Sequence, residues 1–207
     1  MTARHHDWAR FLLVAAAMHA SVARAEAVVR KTADTDDGLM ARVLGESAQL
    51  AQKVVRSSEI LPGKVVLIGF VNAPDNSLVG HLLVETAPTR YEHVTFPSCE
   101  EEGGAPELLA VFFARTVKGG GRDLAVLCRW ESNGGMVNGM SYGAQFYRVD
   151  AAGAKPVVTS LTQLNQKFET DDLVRVNNHG KWTKGSKPAF KTVADVKKLL
   201  TKMGIPQ

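Results

Sequence analysis

Gly139-Met140-Ser141-Tyr142-Gly143 has the spacing of a nucleophile elbow, G-x-S-x-G. An elbow lifts a serine hydroxyl on a strained turn between a buried strand and a helix, and an acid and a histidine then activate it. Asp171 or Asp172 followed by His179 supplies those partners in the order serine, acid, histidine. The neighbouring residues do not fit the geometry. A glycine- and asparagine-rich stretch precedes Ser141, and the strand-like Ala144–Val149 follows it. Without a helix directly after the serine, no adjacent amides and dipole form an oxyanion hole. A serine hydrolase acting through Ser141 is therefore the alternative reading, not the leading one.

Cys128 precedes His179 and could form a thiol–imidazole pair. However, it lies inside the apolar run Leu124–Cys128, where a thiolate finds no electropositive setting. The sequence holds two cysteines, and a disulfide between Cys99 and Cys128 is the expected state in an exported chain. Outside the first residues the histidines are His81, His93 and His179. None stands at a metal-ligand spacing from another, so no metal and no cofactor is expected. The acidic Asp34–Asp37 stretch lacks the glycine and the glutamate spacing of a calcium loop and reads as a helix lead-in.

Binding residues stand out more clearly than catalytic ones. Ser132–Gly143 is longer than a hairpin turn needs, Met136, Val137 and Met140 make it apolar, and Met136, Met140 and Tyr142 are its candidate binding residues. A second candidate is the polar loop 177–188, with His179, Lys181, Trp182 and Lys184. Residues 173–207 carry eight basic residues against Asp195 alone, a balance of +7. A basic surface with an aromatic can hold an acidic protein face. Nucleic acid is not the expected partner, because no recognised binding motif is present.

The first 25 residues have the layout of a secretory signal. Arg4 and Arg10 precede the apolar run Phe11–Ala17, and Ala23-Arg24-Ala25 is a small-x-small cleavage site that would leave Glu26 first. The apolar run is too short to span a bilayer, for which about 20 residues are needed. No second candidate for a membrane span follows. Removing this segment takes three arginines and Asp7 from 25 basic and 21 acidic residues, leaving a net charge of +2. The expected organisation is a signal peptide over 1–25, a mobile mature N-terminus over 26–37 and one domain over 38–207.

Period and turn chemistry predict the elements that carry these residues. Leu39–Ser57 has an apolar stripe at helical spacing. Strands are expected at 64–72, 78–86, 90–96, 108–114, 124–128, 144–150 and 155–159, with a short one at 172–176. Ser160–Phe168 opens with a capping-box pattern. Thr192 and Asp195 should cap a C-terminal helix that Gly204 ends. The expected fold class is α+β: an antiparallel meandering sheet of six to eight strands, with a long N-terminal helix and the C-terminal helix packed on it.

These features describe an exported, periplasmic or secreted, non-catalytic binding or inhibitory protein with a protein partner. Inhibitors of cell-wall-degrading enzymes and immunity proteins against secreted toxins are analogous in size and compartment. A structural, envelope-associated role is a further alternative.

Overall fold

Apolar runs with no polar alternate, such as Val66–Phe70 and Leu124–Cys128, can be strands only if both their faces are covered. The computed structural model describes residues 26–45, 48–100, 104–133, 137–152, 155–178 and 181–207, and it shows what covers them. Two antiparallel sheets stack face to face. The first contains β1 (Glu26–Val29), β2 (Val55–Ser57), β3 (Val66–Asn72), β4 (Leu78–Ala87) and β5 (Arg90–Pro97), in the order β1-β5-β4-β3-β2. The second contains β6 (Glu107–Arg115), β7 (Arg122–Asn133), β8 (Val137–Asp150), β9 (Val157–Ser160), β10 (Glu169–Asn178) and β11 (Lys181–Lys184). Its path is β11-β10-β8-β7-β6, with β9 beside the C-terminal end of β8.

Strand alternation sends each sheet's residues to two different cores. Val66, Ile68 and Phe70 of β3 meet Leu124, Val126 and Trp130 of β7 between the sheets. Leu67 and Leu83 point the other way, onto Leu39 and Met40 of α1 (Asp36–Leu44). On the far side of the second sheet, Ala125, Leu127 and Phe146 pack under Val196 and Leu200 of α3 (Val193–Lys202). The turn-length α2 (Thr162–Asn165) sits over β8 between β9 and β10. The molecule is thus four layers deep: helix, sheet, sheet, helix.

The expected α+β fold, one meandering sheet under two helices, is corrected by this arrangement. The chain is mostly β, with eleven strands in two sheets and three short helices among the described residues. The long N-terminal helix is also corrected. It stops at Leu44, because Gly45 takes φ of 91° and leaves the helical path. The apolar residues beyond it serve strands instead: Leu50 bridges Val71, and Val55 pairs with Ile68. Thr35 caps α1, its hydroxyl accepting from Gly38 N–H at 3.0 Å. Residues 26–29, expected to belong to a mobile segment, form an edge strand paired with β5.

Other local readings hold more closely. Thr192 and Asp195 form the capping box of α3, and Ile205 N–H bonds Leu200 C=O at 3.0 Å past Gly204. Met203, at the end of the helix, is 43% exposed. Cys99 and Cys128 are joined by a disulfide with Cα atoms 6.5 Å apart. The bond ties the chain after β5 to β7 and so fastens one sheet to the other through the central core. No helix among the described residues is long and apolar enough to cross a membrane.

Candidate functional site

The G-x-S-x-G stretch does not form an elbow. Ser141 lies inside β8, paired with Trp130 of β7 on one side and Asp171 of β10 on the other. Gly139 and Gly143 serve as close-packing positions in this strand. A Cβ at Gly143 would stand 3.1 Å from the Trp130 ring, and one at Gly139 would stand 2.5 Å from Asp172 C=O. The strand forms despite its glycines because both edges of β8 are paired here, which outweighs the residues' weak β-propensity.

Ser141 Oγ donates to Asp171 Oδ1 at 2.7 Å. The pair lines a cavity of 190 Å³ at the place where β10 takes over from β9 beside β8. Trp130 walls it, and Gln145, Asn165, Glu169 and Thr170 add to its polar lining. Gln145 Oε1 accepts from Tyr147 OH, whose pKa burial pushes up to about 12. Asn165 Oδ1 accepts from Phe146 N–H at 2.8 Å, so this side chain is already used in holding the strand break together. The acceptor of the Ser141 hydroxyl is a carboxylate, and no histidine lines the cavity. Among the described residues no group of three potential metal ligands exists.

Gln145, Asn165 and Glu169 were not singled out in the sequence. The expected strand began at Asp172, whereas β10 begins at Glu169. Alternation finds two of them, Gln145 and Glu169, because Glu169 and Asp171 share one face of β10, as Ser141 and Gln145 share one face of β8.

The other candidate residues divide by face. Met140 is partly buried and Tyr142 is only 6% exposed, both against the core beneath α3. Lys191 Nζ stands 5.7 Å from the Tyr142 ring centre and pairs with Asp172, which raises the lysine's pKa. Tyr142 is therefore a packing residue covered by the chain, not an open contact. Lys181 and Lys184 are exposed on β11. Trp182 stands opposite Asn177 in the register of the same hairpin. Met136 and His179, and the Trp182 side chain, lie outside the described residues.

The structure does bring the two candidate stretches together. Residues 134–136 join β7 to β8, and residues 179–180 join β10 to β11. The strand ends that flank these connections are neighbours, since Val137 pairs with Val176. Both hairpins therefore end on the same end of the second sheet, with β11 as its edge. The turn between β6 and β7, which holds Lys118, is at the opposite end.

No protein-family model, curated protein or solved structure matches this chain.

Proposed function

We propose that the chain is exported, loses residues 1–25 and acts as a non-catalytic binding or inhibitory protein against a protein partner. The convergence of the β7–β8 and β10–β11 hairpins at one end of the second sheet carries this reading. That end presents exposed Lys181 and Lys184, and Lys187 follows on the same edge. A secreted enzyme or toxin with an acidic face is the class of partner that such a surface fits. Two features support export: the arginine, apolar run and Ala23-Arg24-Ala25 layout, and a disulfide, which persists in oxidising compartments.

Affinity capture from an envelope extract tests the reading. Lys181→Glu combined with Lys184→Glu should lose the captured protein, while Lys118→Glu at the opposite end keeps it. Equal capture by all three proteins would remove the hairpin end from the site.

A serine hydrolase is the second reading, and the 2.7 Å contact between Ser141 and Asp171 in a cavity is the observation that favours it. A fluorophosphonate probe that labels wild type but not Ser141→Ala would establish it. Absence of labelling leaves Ser141 as a strand residue that orders Asp171.

A further inference from the structure

Strand β11 is an open edge with a defined set of outward backbone groups. The sheet order places it last, beyond β10. Gly185 N–H donates to Val174 C=O of β10 at 3.3 Å, so the amide of residue 185 faces inward. Successive residues along a paired strand turn their backbone groups to opposite sides. The N–H and C=O of Lys184, and of Trp182 two residues earlier, therefore face away from β10. They form a short row of donors and acceptors, and among the described residues no strand lies beside it.

The opposite edge of the same sheet is partly closed. Gln207 Oε1 accepts from Arg115 N–H at 3.1 Å, and Gln207 Nε2 donates to Arg115 C=O at 3.0 Å. One side-chain amide thus occupies the β6 edge as an added strand would. At β11 the flanking groups are ammoniums. Lys181, Lys184 and Lys187 are exposed, and among the described residues the lysine ion pair is Lys191 with Asp172. Lysines on an edge strand repel a second copy of the same edge. The same charges attract a strand of opposite sign.

We propose that β11 is a docking edge that receives an extended, acidic segment of a partner protein as an additional strand. The inference rests on the reading of the molecule as a protein-binding module and specifies how the partner is held. Backbone pairing to Trp182 and Lys184 supplies the register, and the lysines select the charge.

The test uses a short peptide of alternating glutamate and threonine, with a lysine–threonine peptide as control, followed by fluorescence anisotropy. Wild type should bind the acidic peptide about tenfold more tightly than the basic one. Lys184→Pro removes one outward N–H at a position where an edge strand tolerates proline, and should weaken binding about tenfold. Lys184→Ala, which removes charge alone, should weaken it only about two- to threefold. If Lys184→Pro shifts the melting curve, the acidic peptide N-methylated at alternate residues is titrated against wild type, and it should lose about tenfold. Equal effects of proline and alanine, no loss with the N-methylated peptide, or no saturable binding would overturn the docking edge. Those results leave capture of a partner by the hairpin ends standing, because that is read from charge reversal on the intact complex.

Discussion

His81 Nδ1 lies 3.0 Å from His93 Nε2, with the two rings nearly parallel on the outer face of the first sheet. His81 is 8% exposed, and its Nε2 has no partner among the described residues. An orphaned buried acceptor is tolerated better than an orphaned N–H. This assigns the proton to His81 Nδ1, which donates to His93. Adding a proton to His81 would bury a charge beside a second imidazole.

The pair therefore predicts acid lability. Burial, then the charge of His93, pushes the His81 pKa down to about 4, from an ordinary 6.5. The folded state keeps this ring neutral while the unfolded chain protonates. Its stabilisation is complete above pH 6.5 and declines as the pH falls from there towards about 4. Urea midpoints measured between pH 7.5 and 4 should fall, and His81→Gln should flatten that slope. An unchanged slope in the variant would contradict the assignment.

The disulfide gives a second prediction. Cys99 and Cys128 are separated by 29 residues and close a loop across the two sheets. Replacing both by alanine should cost about 3 to 4 kcal/mol in the chain-entropy account. Thermal unfolding with and without reductant checks it. Wild type under reductant should melt like the double variant, and a reductant-independent melting curve would contradict the prediction.

Thr89 offers a gain. It joins β4 to β5 with φ of 64°, a conformation that a β-branched residue rarely adopts. Its C=O accepts from Arg30 N–H at 2.7 Å, so the backbone must keep that geometry. Asparagine tolerates the left-handed region, and Thr89→Asn should stabilise the protein by about 0.5 to 1 kcal/mol. Chemical denaturation measures this directly. A loss of stability would mean that the threonine side chain contributes more than the strain it bears.

How much of this was legible follows from which forces are local. Strands β3, β4, β5 and β6 were readable because their apolar runs end at turn residues such as Pro74-Asp75-Asn76 and Pro88-Thr89. Helix α3 was readable because its capping box and its Gly204 stop are contained within the segment. The division into two sheets was not, since alternation shows that a strand has two buried faces but not what covers each. Residues 137–143 resembled a loop because glycine and asparagine are weak strand formers, and only pairing with β7 and β10 makes them a strand. Strand β11 was hidden in the same way by the polar composition of residues 177–188. Proximity of the two candidate stretches depends on the pairing of β8 with β10, a long-range contact that no local pattern encodes. The same pairing sets Ser141 against Asp171 and explains why a catalytic-looking motif forms an ordinary strand.

The proposed function requires that the hairpin end of the second sheet meet a protein. A photo-crosslinking amino acid at Lys184 tests it most directly, with the same group at Lys118 as the control at the other end. Irradiated in an envelope extract of the producing organism, the Lys184 position should yield one dominant crosslinked protein and the Lys118 position none. The same adduct pattern from both positions, or no adduct at Lys184, would contradict the account.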